Sequence, residues 1–150
     1  MPQSHAPRRT ADAKTRASEA APCPCGGQPA GAGYRDCCAR LIEAQLPAPN
    51  AESLMRSRYT AYVYENFAYL QRSWDPLTCP ADLGDRPRDQ AQPNWLGLTI
   101  KRHTIIDDRH AEVEFIARYK IGGRAQRIHE ISQFTRMDDH WLYVTGELFD

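Results

Sequence analysis

No run of apolar residues in the chain approaches the ~18 to 20 that a membrane-spanning helix needs, so none is expected. Surplus charge is equally absent, because 19 basic residues balance 19 acidic ones. Bulk attraction to nucleic acid or to an anionic membrane is therefore not expected, and only a local patch could supply it. Residues 1–22 contain no aromatic residue, Ile, Leu or Val. With four basic and two acidic residues, that stretch has nothing to offset its ordering entropy, and a disordered tail is expected. It also lacks the apolar segment of a secretory signal, which points to the cytoplasm and to reduced thiols. What remains, in 150 residues at 41% hydrophobic and 25% charged, suits one ordinary domain with a small appendage. A domain of that size does not need a metal to fold, unless the metal serves a segment outside the main core.

The cysteines are the strongest chemical signal. Four of the five lie in residues 23–42, as Cys23-Pro-Cys25 and Cys37-Cys38 with 11 residues between the pairs. Gly26-Gly27 lets the first pair turn both sulfurs to one point, and Gly31-Ala-Gly33 lets the chain return. Cys37-Cys38 stands where a helix begins, so nearby amides favour thiolates. Disulfides do not suit a reduced compartment, a thioredoxin-like relay lacks its βαβ setting, and vicinal ligands are unusual for an iron–sulfur cluster. A single structural Zn²⁺ held by Cys23, Cys25, Cys37 and Cys38 is the preferred reading. Arg35 and Arg40 would offset part of its net charge of −2. Closed Cys₄ coordination leaves no place for water, which implies docking or structure rather than metal catalysis. Cys79, alone in Leu-Thr-Cys-Pro, reads as a small buried apolar residue.

Beyond the linker Pro47–Asn50 the pattern is helical. Asn50 is placed to cap, and Met55, Tyr59, Tyr62 and Val63 form one stripe, with Arg56, Arg58 and Glu65 off it. Arg56-Ser-Arg58 could hold an anion, but with Glu52 and Glu65 nearby on the same helix a solvated, salt-bridged face is the preferred reading. Asn66 caps a second helix, Phe67 to Trp74, and residues 75–94 form a long loop with at most one helical turn. After Pro93 the period changes to two. Strands are expected around Leu96–Ile106, Val113–Ile121, Arg127–Thr135 and Trp141–Thr145, joined at Asp107-Asp108, Gly122-Gly123 and Asp138-Asp139. Two helices followed by an antiparallel meander give an α+β fold with the helices on one face of a four-stranded sheet.

Three separated stretches then match one family in order. Cys23-Pro-Cys-Gly-Gly27 with Gly33-Tyr-Arg-Asp-Cys-Cys38 resembles the SEC-C zinc-binding motif. Leu54-Met-Arg-Ser-Arg-Tyr-Thr-Ala-Tyr62 resembles the opening of the YchJ family domain. His129-Glu-Ile-Ser-Gln-Phe134 and Trp141-Leu-Tyr-Val-Thr-Gly146 resemble its C-terminal strands. The resemblance implies a nuclear-transport-factor-2-like (cystatin-like) cone: a curved antiparallel sheet around helices, enclosing a pocket. It divides the chain into a tail (1–22), a SEC-C-like motif (23–46) and the cone (50–150). The inter-cysteine loop is about three residues longer than usual for the motif, the excess falling in a flexible Gln28–Gly33 segment. No established activity comes with the resemblance, and SEC-C motifs in general suggest docking to protein or ribosomal partners.

Candidates for chemistry in the cone are few. His129 and Glu130 are adjacent on a strand and must point to opposite faces, with Ile128, Glu130, Ser132 and Phe134 on one. Glu130, or less readily His129, could act as a general base in an isomerase- or hydrolase-type site. An ion pair of Glu130 with Arg56 or Arg58, or a hydrogen-bonded network, is the plainer reading. Tyr59, Tyr62, Trp74 and Trp95 read first as core and second as the lining of a pocket with Glu130. Nucleic-acid binding would fall to Arg8, Arg9, Lys14, Arg16, Arg35 and Arg40, with Tyr34 for stacking, and is disfavoured by the neutral core. A homodimer across the exposed face of the meander is compatible with the pattern. The leading expectation is a zinc-bearing, non-enzymatic accessory protein, and the alternative is a small-molecule enzyme using the cone pocket.

Overall fold

The structure, a computed structural model, describes residues 21–85 and 92–149. The expected tail lies outside the described residues up to position 20, but Pro22, its last residue, pairs as a β-bridge with Gly33. A 3₁₀ turn, Tyr34–Asp36, leads into a one-turn helix α1, Ala39–Ile42. Helix α2, Ala51–Val63, follows the linker, then α3, Phe67–Arg72. Four strands complete the chain: β1, Asn94–Asp107; β2, His110–Ile121; β3, Arg124–Met137; and β4, His140–Phe149. They form one antiparallel sheet in the order β1-β2-β3-β4. Among the described residues no helix is long and apolar enough to cross a membrane.

Both helix starts follow from their caps. The Asn50 side chain accepts from Ser53 N at 2.8 Å, and that of Asn66 accepts from Tyr69 N at 3.0 Å, each satisfying an amide that has no partner within the helix. The hairpins follow from residues that tolerate left-handed backbone. Gly122 and Gly123 have φ of 57° and 79°, and Asp138 and Asp139 have 52° and 66°, the paired positive values of a type I′ turn. Three register shifts in β1 curl that edge.

The strand period sorts the sheet. Ala111, Val113, Phe115 and Ala117 of β2 are buried, with Phe134 and Ser132 of β3 beside them. The opposite face is more polar, though Ile116 is buried on it: His129 Nε2 lies 2.7 Å from Glu114 Oε2, and Gln133 donates to Glu112 at 2.7 Å.

Helix α2 departs from the expected single stripe. Ala51, Leu54, Met55, Ser57, Arg58, Tyr59, Thr60 and Ala61 are all buried, so it is covered nearly all round. One side faces the sheet and the other is covered by the cysteine segment and α3. Tyr62 and Val63, expected on the buried stripe, are only partly buried. Arg58, expected in solvent, is 2% exposed. Nor is the cysteine segment an appendage outside the core. Cys23, Cys25, Tyr34, Cys37, Cys38, Leu41 and Ile42 belong to the same buried cluster as Leu54, Met55, Leu70 and Val113. Cys79, expected to be buried, is half-exposed, its thiol 3.7 Å from Pro80 O.

Candidate functional site

The four cysteines of the N-terminal segment meet at one point. Their Sγ atoms all lie within 4.8 Å of one another; Cys23, Cys25 and Cys38 are buried and Cys37 lies at the edge of the core. Cys25 and Cys37 are 3.5 Å apart, Cys37 and Cys38 4.0 Å. Four sulfurs bound to one Zn²⁺ at ~2.3 Å would stand ~3.8 Å apart, so the spacing fits a tetrahedral ion. Left-handed glycines build the approach. Gly26 and Gly27 have φ of 95° and 92°, and a Cβ at Gly27 would stand 2.5 Å from Ala32 N. The Gln28–Gly33 segment is a hydrogen-bonded loop rather than a flexible bulge: Gly31 N donates to Gly26 O at 2.9 Å and Cys23 N to Ala32 O at 2.8 Å. Gln28 also bonds Glu52 and Ser53 of α2.

Donors to the sulfurs come from the backbone and from the cone. Gly27 N lies 3.4 Å from Cys25 Sγ. Thr60 Oγ1 of α2 donates to Cys38 Sγ at 3.3 Å and stands 3.7 Å from Cys23 Sγ. Arg56 clamps the loop, Nη1 to Cys25 O at 2.8 Å and Nε to Glu52 at 3.0 Å. The cation beside the sulfurs is therefore Arg56. Arg35 pairs with Glu43 at 3.3 Å, and Arg40 is exposed. Hydrogen bonds with Cys25, then Cys37 and Cys38, hold Cys23 far below the usual thiol range. The bond with Cys23 pushes Cys25 and Cys38 up. Cys37, raised by Cys23 and lowered by Cys25 and Cys38, settles at about 7. Four thiols gathered this closely are a cation site by their chemistry, because a bound metal ion takes each as a thiolate. Tyr34 is buried and donates to Glu43 at 2.7 Å, so it is closed to base stacking.

A second site lies on the other side of α2. A cavity of about 200 Å³ is lined by Arg58, Tyr59, Tyr62, Trp95, Glu130 and Tyr143, with Met55, Phe115, Ala117 and Ile128. Four of the five expected lining residues are here. Trp74 stands behind, its ring 4.6 Å from the Arg58 guanidinium. The guanidinium is also 4.5 Å from the Tyr143 ring, and its Nη1 donates to Leu70 O at 3.0 Å and to Ser73 Oγ at 2.7 Å. Burial pulls the Arg58 pKa down from its usual value. No carboxylate among the described residues reaches ion-pair distance of it.

Glu130 is held by hydroxyls rather than by an arginine. It accepts from Ser132 Oγ at 2.5 Å and from Tyr143 OH at 3.0 Å. Its carboxylate lies over Gly146, where any Cβ would overlap it. Burial first, then the Glu130 charge, pushes the Tyr143 pKa up, so this phenol stays a donor. His129 is on the outer face with Glu114 and Phe149, away from the cavity. The expected division of the pair between faces holds, and it removes His129 from the pocket. Tyr143 and Gly146 are the members of this site that residue patterns did not assign, and Arg58, expected as an ion-pair partner of Glu130, lines the cavity without pairing with it. A glycine inside an otherwise regular strand was the one local signal of a close approach.

A curved meander closed over helices, with a four-cysteine knuckle docked on the central helix, defines a nuclear-transport-factor-2-like cone protein with a SEC-C-type cluster. The family model described as "YchJ, middle NTF2-like domain" matches residues 50–146. A UPF0225 protein of Ralstonia nicotianae is 50% identical over 137 residues, covering 85% of this chain and 95% of that protein. A UPF0225 protein of Bordetella bronchiseptica is 45% identical over 137 residues, covering 90% and 98%. The solution structure of a SEC-C motif containing protein from Rhodopseudomonas palustris superposes with a TM-score of 0.73 at 33% identity, covering 86% of this chain and 99% of that one. The chain belongs to the YchJ family, whose members include these UPF0225 proteins.

Proposed function

We propose that this is a zinc-bearing, non-enzymatic accessory protein whose Cys₄ knuckle docks it on a protein or ribosome-associated partner in the cytoplasm. The observation that carries the reading is the convergence of four sulfurs within 4.8 Å of one another. Cys23, Cys25, Cys37 and Cys38 would hold one ion. Zn²⁺ suits an all-thiolate tetrahedron and needs no redox chemistry, and with four protein ligands it has no position for a reacting water. The SEC-C name of the Rhodopseudomonas relative supports the same assignment. Purified protein is expected to contain one zinc per chain, and serine at Cys37 and Cys38 to abolish it, by elemental analysis. Zinc content indifferent to those changes would end the reading. Capture of a partner from the native cell, lost in the same double variant, tests the docking half.

Thr60 gives a finer test of the centre. Thr60→Val keeps the shape and deletes the hydroxyl that bonds Cys38 Sγ. Removing such an outer partner is expected to lower metal affinity about 10- to 100-fold, read by competition with a chromophoric chelator. Unchanged affinity would show that the hydroxyl serves α2 and not the ion.

The alternative reading, a small-molecule enzyme, retains Glu130 alone of its two candidate bases. Glu130 faces the cavity with no guanidinium in ion-pair contact, which is what that reading asks for. Two hydroxyl donors already occupy it, which favours an orienting role over proton abstraction.

A further inference from the structure

We infer that the cone cavity binds a small aromatic carboxylate that also carries a hydrogen-bond donor, the chemistry of a hydroxy- or amino-substituted aromatic acid. This inference is independent of the metal centre. Size sets the first limit. At about 200 Å³ the cavity is smaller than the ~300 to 1,000 Å³ of pockets for drug-sized ligands, so its occupant is a small metabolite. The walls set the body. Tyr59 and Trp95 meet edge-on with centroids 5.7 Å apart, and Tyr62 tilts against Trp95 at 6.0 Å. With Phe115 they form apolar ring surfaces suited to a flat apolar body.

Charge sets the polar end. Arg58 is 2% exposed and has no carboxylate partner among the described residues. A buried, uncompensated cation is costly, and two ring faces, a carbonyl and a hydroxyl compensate it only in part. Its Nη1 is used by Leu70 and Ser73, and the Tyr62 hydroxyl also faces the guanidinium, whereas the planar fork has five N–H donors in all. An anion inside the cavity supplies the missing charge, and a carboxylate suits the fork. Glu130 sets the second polar contact. Its oxygens, already bonded to Ser132 and Tyr143, attract an N–H or O–H rather than an anion, so the ligand's acid goes to Arg58 and its donor to Glu130. A quaternary ammonium, the usual guest of an aromatic cage, is disfavoured because Arg58 shares the walls.

The test uses the full chain, isotope-labelled, titrated with 4-hydroxybenzoate, 4-hydroxybenzamide and benzyltrimethylammonium. Saturable shifts are expected at the Ala117 and Ile128 amides and the Trp95 indole with 4-hydroxybenzoate. The uncharged amide should bind at least about ten-fold more weakly, as expected for loss of a charge-assisted bond. Arg58→Met should erase that difference. Should that variant misfold, Ala117→Leu, which fills the cavity and keeps both charges, should abolish the shifts instead. No saturable shift at millimolar 4-hydroxybenzoate, equal affinity for acid and amide, or preference for the ammonium would each overturn the inference.

Discussion

If the cysteines hold an ion as proposed, stripping it with a chelator is expected to lower the unfolding temperature of the whole chain by about 8 to 16 °C, in a single transition. An ion bound only by the native state at a thousandfold excess over its Kd stabilises by about 4 kcal/mol. For a chain of this size each kcal/mol moves the midpoint by about 2 to 4 °C or somewhat more. The single transition follows from the packing. The four cysteines share one buried cluster with Leu54, Met55, Leu70 and Val113, and Thr60 of the central helix touches two of the sulfurs. Releasing the ion leaves four thiols in the core that supports the sheet. Differential scanning calorimetry with and without chelator checks this. Two separate transitions, with the larger unmoved, would show that the knuckle unfolds by itself.

Gly146→Ala is expected to destabilise the fold by about 1 to 3 kcal/mol, the range for overpacking a filled interior. The added Cβ falls on the Glu130 carboxylate, which must swing away. Ser132, fully buried, and Tyr143 then lose the acceptor they share. Unsatisfied buried hydroxyls add their own desolvation penalty. Urea unfolding measures the loss. Combining the change with Glu130→Ala should recover part of it, because the overlap is gone. A Gly146→Ala variant as stable as the native protein would mean that Glu130 moves freely and is not held in place.

Much of the architecture was legible because its signals are local. The caps at Asn50 and Asn66, the paired glycines and aspartates of two hairpins, and the alternation along β2, broken only at Ile116, each act through neighbours in the chain. The cysteine constellation was legible for the same reason, since its spacing and glycines are visible without tertiary information. Arg58 was not. Helical periodicity sends it to solvent, and only the closing of β4 and the Trp74 segment around α2 explains its burial. Cys79, expected in the core, is only partly covered, a matter of how its loop lies on the fold that local sequence does not reveal. The Glu130 network also depends on a contact across strands, Ser132 opposite Gly146, which no single stretch reveals.

Two recognisable pieces of sequence do not make two separable pieces of protein here. A fragment cut at Asn50 would begin with Ala51 and continue through Leu54 and Ala61, side chains that the knuckle segment now shares a core with. Shorn of that cover, the isolated cone would present a raw apolar flank and tend to clump. A transplanted knuckle would in turn miss the threonine and arginine that α2 lends it. Shuffling of such modules between proteins has to carry the central helix along.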